Sequence, residues 1–257
     1  MNVETYLPAD ILKPFIKYFL IIESENGMEN RILPATSIVM AFRCKGKVML
    51  EDGGIHSSLP VSGITGLQKA PRFVSYSKKA ATLLVLFEEG GAAAFFKEPL
   101  HEIFGINVPL DNLIHRPKLI EMEERLAGAE NNAQRVFLVE KFLLSELKEA
   151  QSDRLILSAV QRIKAANGNV RIKDLVKTLP VSLDPFEKRF RRLVGTSPKQ
   201  FSAIVRFRNL IARHSPEEDL TDAAHAAGYF DQAHFIKDFK SFTGQTPHDF
   251  FKSSPYW

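Results

Sequence analysis

The chain predicts an α+β protein in two parts. Residues 1–151 form an N-terminal β-rich domain, sandwich-like or barrel-like with flanking helices, and residues 152–257 an all-α double helix-turn-helix domain. Three observations carry this. From Arg31 to about Glu89 the chain reads as short extended segments, rich in apolar and β-branched residues, with turn signals between them. After Glu88-Glu89-Gly90-Gly91 the pattern changes to a helical period. In the C-terminal half one skeleton then occurs twice at an offset of 49: Phe186 matches Phe235, Lys188 Lys237, Phe190 Phe239, Gly195 Gly244, Pro198 Pro247 and Phe201 Phe250. A repeat at fixed spacing marks one structural unit used twice.

At 257 residues the chain is long enough to bury a core without disulfides or metals, and its single cysteine, Cys44, cannot form an intrachain disulfide. The N-terminus MNVETYLPADILKPF has no basic region followed by an apolar signal segment, and no apolar run approaches the roughly 20 residues of a membrane helix. The expected location is the cytoplasm, with no membrane partner. Net charge is +4 but uneven: from Ser152 onward there are 17 Lys and Arg against 11 Asp and Glu, and before it 17 against 19. A basic half favours a polyanionic partner through counterion release.

In the N-terminal half, Asp52-Gly53 between apolar and β-branched residues signals a tight hairpin. Gly90 and Gly91 read as a strand-to-helix turn, with anion binding at a helix N-terminus as the sharper alternative. In the segment NAQRVFLVEKFLLSELKEA, Val136, Val139, Phe142, Leu143 and Leu147 follow one helix face, and Phe137, Leu138 and Leu144 widen the stripe. Such a stripe packs on its own sheet or forms a dimer interface.

Each C-terminal copy reads as a short helix, a turn and a second helix with a buried aromatic stripe: Phe186, Phe190 and Leu193 in the first, Phe235, Phe239 and Phe242 in the second. Gly195 and Gly244 stop these helices, and Pro198 and Pro247 open the next ones. The leading helices, IKDLVKTL and LTDAAHAAG, align at an offset of 48, which places one extra residue in the second turn. The predicted units are a first helix-turn-helix at about 171–195, a linker helix at about 198–214 with Phe201, Ile204, Val205 and Ile211 inward, and a second helix-turn-helix at about 219–243. Helical hairpins with aromatic stripes also build plain bundles, so periodicity alone leaves DNA binding and a scaffold both open.

No catalytic or metal constellation stands out. His56, His101 and His115 lack a neighbouring His, Glu or Cys at ligand spacing, and no general base can be assigned to Cys44. No catalytic residue, metal or cofactor is expected. The alternative reading, a small-molecule enzyme on a β-barrel with a helical appendage, would need such a cluster inside the barrel.

The stretch AAHAAGYFDQAHFIKDFKSFTGQTPHDF resembles the signature of the AraC/XylS family of bacterial transcription regulators, through Gly228, Asp231, His234, Phe235, Phe239, Lys240, Gly244, Thr246 and Pro247. FEKRFRRLVGTSPKQF repeats the pattern, so the resemblance covers about residues 152–252. It implies double-stranded DNA as partner, with two recognition helices in successive major grooves roughly 34 Å apart. By position, the base-facing residues are Gln232, Ala233, His234, Ile236 and Lys237 in the second unit, and Asp184, Glu187 and Lys188 in the first. Arg191, Arg192, Lys199 and Lys240 face phosphates.

Departures are Tyr229 for Phe, Ala223-Ala224 for Ile-Ala, Ala233 for Ser, and Asp184 where a basic or polar residue is common. Asp184 and Glu187 can accept from cytosine amino groups, or Asp184 can serve the helix dipole after a Ser182 cap. LPATSIVMAF and LLVLFEEGGAAAFFKEPLHEIFG, with the helix ending FLLSEL, resemble an N-terminal domain of some AraC-like regulators. That implies a sensor or dimerisation role, with an unidentified small-molecule effector, a second copy of the chain and RNA polymerase as further partners.

Overall fold

A computed structural model describes the chain except residues 53, 149–152, 215–219, 230 and 253–257. Its N-terminal part is a single antiparallel sheet: β1 (Asn2–Tyr6), β2 (Ile16–Ile32), β3 (Val39–Lys45), β4 (Val48–Asp52), β5 (Ile55–Ser58), β6 (Ser62–Thr65), β7 (Arg72–Phe87) and β8 (Asn107–Pro109). The order is β1-β2-β7-β3-β6-β8, with β4 and β5 as a hairpin on β7. Two long strands organise it. β2 and β7 pair from Ile16 opposite Phe87 to Ile32 opposite Arg72. On its other edge β7 changes partner midway, with Ala81–Leu86 against β3 and Phe73–Tyr76 against β4. The hairpin predicted from Asp52-Gly53 is present as Asp52 opposite Ile55, although Gly53 itself lies outside the described residues.

Alternation sets the inner face of the sheet: Phe19, Ile21, Met40, Phe42, Leu83, Val85 and Phe87 are all buried. Helices α1 (Arg116–Ala127) and α2 (Asn132–Glu146) pack on it, with the Phe142 ring edge-on to Phe42 at 5.9 Å. The stripe of α2 therefore does pack on its own sheet. It is narrower than the sequence suggests, because Phe137 and Leu144 are 52% and 39% exposed. Gly90 and Gly91 lead into a 3-10 turn, Gly91–Ala94, and a second such turn spans Leu100–Ile103.

The C-terminal part comprises α3 (Arg154–Ala165), α4 (Ile172–Lys177), α5 (Leu183–Val194), α6 (Pro198–Arg213), α7 (Leu220–Ala226), α8 (Gln232–Thr243) and α9 (Pro247–Lys252). The extra residue of the second copy lies in the helix, not in the turn. α4 has six residues and α7 seven, while both connections to the next helix are the same length.

The apolar core does not respect the compositional break near Ser152, which itself lies outside the described residues. One cluster runs from Phe19, Phe42 and Phe87 of the sheet through Val139 and Leu143 to Ile156, Phe186, Phe190, Val194 and Phe201. A second cluster gathers Phe207, Phe235, Phe239, Phe242 and Phe250 around α8, and Leu33, just after β2, joins it. The first helix-turn-helix is thus continuous with the N-terminal core, and the second has its own.

Candidate nucleic-acid interface

The second unit is built on aromatic packing. Phe235 and Phe239 bury one face of α8, and Phe207 of α6 stacks on Phe242 at 4.7 Å and meets Phe239 edge-on at 5.7 Å. Phe207, absent from the inner residues expected for the linker helix, is its central contact, whereas Ile211 is only half-buried. Tyr229 fills the turn: its ring lies 5.3 Å from Phe235 and 5.6 Å from His234, and the Arg206 guanidinium sits 4.7 Å from its centroid. Burial pushes the Tyr229 hydroxyl up to about 12, so it stays neutral.

Local chemistry fixes both ends of α8. The Asp231 carboxylate accepts from the His234 backbone N–H at 2.7 Å and so caps the N-terminus. At the other end Gly244 takes φ +74°, the left-handed stop that glycine adopts without strain. Asp231 is part of the sequence signature, and its capping role becomes visible only in the backbone geometry.

The opposite face of α8 is open. Gln232, Ala233, His234, Lys237 and Lys240 are exposed, and Ile236 presents an apolar side chain that is 38% exposed. His234 Nε2 lies 3.7 Å from the Asp238 carboxylate one turn on, which ties the imidazole to the helix surface.

The first unit differs. In α5, Phe186, Phe190 and Val194 are buried, and Leu193 is half-buried beside Val194. Ser182 is at the N-cap without a side-chain bond, and Asp184 stands in the first turn. Asp184, Lys188, Arg191 and Arg192 are exposed, as is Lys199 at the start of α6, while Glu187 is partly buried, 3.8 Å from Arg191. Asp184, Glu187, Lys188 and Arg191 form one stripe, and together with His101 they line an open cleft of about 350 Å³. His101, isolated in the sequence, is therefore a neighbour of α5. No local signal announces it, because the contact is made by the fold.

Arg189 points elsewhere. It makes a forked pair with Asp153, Nε to Oδ2 at 2.7 Å and Nη2 to Oδ1 at 2.6 Å. Asp153 in turn caps α3 by accepting from the Ile156 N–H at 3.2 Å. Partial burial would raise the Asp153 carboxyl, but the Arg189 and backbone hydrogen bonds outweigh it and hold it below the ordinary carboxylate range.

The N-terminal part grips the helical region at two places, α3 and the turn after α8. The Glu89 carboxylate, 2% exposed, accepts from Lys17 Nζ at 2.8 Å and Thr36 Oγ1 at 2.7 Å on one oxygen, and from Lys164 Nζ of α3 at 2.8 Å on the other. Burial alone would raise its pKa, but Lys17 and the three hydrogen bonds reverse the balance and bring it down to about 2. Arg31 of β2, also buried, donates to Gln245 Oε1 in the turn after α8 at 3.0 Å and lies 5.9 Å from the centroid of the Phe250 ring. Neither Glu89 nor Arg31 was singled out by sequence.

Among the described residues no group of three or more His, Cys, Asp or Glu side chains could hold a metal ion, and no helix is long and apolar enough to cross a membrane. Cys44 is buried, and desolvation pushes its thiol pKa up, away from nucleophile chemistry.

Two helix-turn-helix units joined by one long helix, each with an outward polar stripe, define a double helix-turn-helix DNA-binding domain. Residues 175–253 match a family described as a helix-turn-helix domain, and residues 4–109 match one described as a domain of unknown function (DUF6597). The matched C-terminal region is a helix-turn-helix domain, and its signature from Gly228 to Pro247 is similar to that of the AraC/XylS family.

The chain is 26% identical over 167 residues to the Msm operon regulatory protein of Streptococcus mutans serotype c. The match covers 63% of this chain and 57% of that protein, less than two thirds of its length. Among solved structures, ToxT from Vibrio cholerae is 12% identical with a TM-score of 0.46, covering 96% of each chain. An RmlC-like cupin protein from Desulfovibrio desulfuricans is 14% identical with a TM-score of 0.25, covering 34% of this chain and 80% of its own.

Proposed function

We propose that this protein is a sequence-specific transcription regulator in which α8 is the principal reader of DNA. The observation that carries this is the exposed stripe of α8, held rigid by the Asp231 cap, the Gly244 stop and the aromatic core beneath it. Gln232, His234 and Lys237 supply donors and acceptors for base edges, and Ala233 and Ile236 supply apolar contact for thymine methyl groups. Lys240, Arg191, Arg192 and Lys199 take phosphates. The functional division falls near residue 151, and the sheet domain supplies control, either by binding a small-molecule effector or by pairing two copies through the exposed Phe137 and Leu144. RNA polymerase would be the partner through which DNA binding acts.

The test uses the full chain, because the first unit shares its core with the sheet. Duplexes selected in vitro from a random pool give the specific site. Lys237→Ala is expected to weaken binding to that site by about 1–3 kcal/mol and to a random duplex by less. Equal losses on both would make Lys237 a phosphate contact, and no binding by the wild type at low salt would refute the function.

A further inference from the structure

The polar stripe of α5 does not stand alone. Asp184, Glu187, Lys188 and Arg191 line an open cleft of about 350 Å³, and His101, from the Leu100–Ile103 turn of the N-terminal part, lines it with them. The imidazole sits on a fixed base. His101 is exposed, while Leu100 and Ile103 of the same turn are buried in one core with Phe186, Phe190 and Val194. The turn meets α5 at its C-terminal end, where a Cβ added to Gly195 would lie 3.3 Å from the Leu100 carbonyl oxygen. Asp184, Lys188 and Arg191 stay exposed beside it. A reading helix contacts bases through its N-terminal residues, so a segment seated at the other end lies at the rim of the groove, level with the phosphates.

The charge of the cleft says what His101 adds. Asp184 and Glu187 repel phosphates, and Arg191 shares its charge with Glu187 at 3.8 Å. The stripe of α8, with Gln232, His234, Lys237 and Lys240, is better supplied with donors. An imidazole offers an N–H whether neutral or protonated, and N–H donors to phosphate oxygens fix the register of a protein on a duplex. We propose that the DNA-contacting surface extends past the helix-turn-helix domain onto the N-terminal part, with His101 donating to a backbone phosphate at the rim of the groove that α5 enters. The inference rests on the DNA-binding reading above. It gives a DNA contact to the region of residues 4–109, which matches a domain of unknown function.

The experiment measures fluorescence anisotropy of the full-length protein on the duplex selected in vitro, over a range of salt, for wild type, His101→Ala and His101→Arg. His101 is exposed, so neither substitution enters the core. His101→Ala should weaken binding about tenfold, the order of a lost hydrogen bond to a charged group. His101→Arg should restore wild-type affinity or exceed it, and should steepen the slope of log K against log salt by about 0.9, as one more phosphate is neutralised. Duplexes in which a methylphosphonate replaces one phosphate at a time then locate the contact. Neutralising one phosphate should weaken the wild type and leave His101→Ala unchanged, because the two changes remove the same interaction. Wild-type affinity in His101→Ala would overturn the proposal. A loss in His101→Ala with every phosphate keeping its wild-type effect would also overturn it, since His101 would then act on the fold alone. No binding by the wild type at low salt would overturn the DNA-binding reading, and this proposal with it.

Discussion

Replacing Glu89 by Gln should cost the protein a pH-dependent part of its stability. The carboxylate is 2% exposed and is held by two ammonium groups and one hydroxyl, which bring its pKa from an ordinary 4.5 down to about 2. A depression of that size corresponds to about 3 kcal/mol, at 1.36 kcal/mol per pKa unit. Because the folded-state pKa lies below the unfolded one, this stability is fully present above about pH 5 and is lost as pH falls toward 2. Gln keeps the shape but cannot carry the charge, and it leaves Lys17 and Lys164 facing each other without their anion. Urea unfolding of wild type and variant, run from pH 7 to pH 2, isolates the contribution, since other carboxylates cancel in the difference. The expected result is a gap of about 3 kcal/mol at pH 7 that closes through the acid range. A gap that is absent at pH 7, or independent of pH, would refute the argument.

Phe239, buried against Phe207, Phe235 and Phe250, should cost about 3–5 kcal/mol when changed to Ala, with loss of binding to the selected duplex while the sheet domain keeps its circular dichroism. Asp231→Ala should lower the urea unfolding free energy by about 1 kcal/mol, the value of a lost N-cap. Gly195→Ala should destabilise by about 1–2 kcal/mol, because φ +92° disfavours a Cβ and the new methyl would press on the Leu100 carbonyl; an unchanged melting temperature would contradict this.

The sequence reveals what is set locally. Phe235, Phe239 and Phe242 recur at the helical period, and Gly244 ends the helix because it alone avoids the left-handed penalty, so that unit was legible residue by residue. The same rules misplace detail where tertiary packing chooses. Leu193 yields the fully buried place to Val194, and Phe137 and Leu144 stay outside because the sheet covers only part of α2. Contacts between distant segments were invisible. Glu89 reads as part of a turn until Lys17, Thr36 and Lys164 converge on it, and His101 reads as solitary until the Leu100–Ile103 turn lies along α5. The compositional break near Ser152 marks a change in charge, and the apolar core runs across it.

One strand reaches both ends of the helical region. Lys17 at the start of β2 joins the Glu89 cluster that ties down α3, and Arg31 at its far end holds Gln245 behind α8. Fourteen residues of extended chain measure at most about 46 Å, the same scale as the roughly 34 Å between neighbouring turns of one groove. β2 is therefore a common backing strip: it is fastened at Lys17 to the Glu89 cluster and at Arg31 to the turn after α8, so a change in its length strains one fastening or the other.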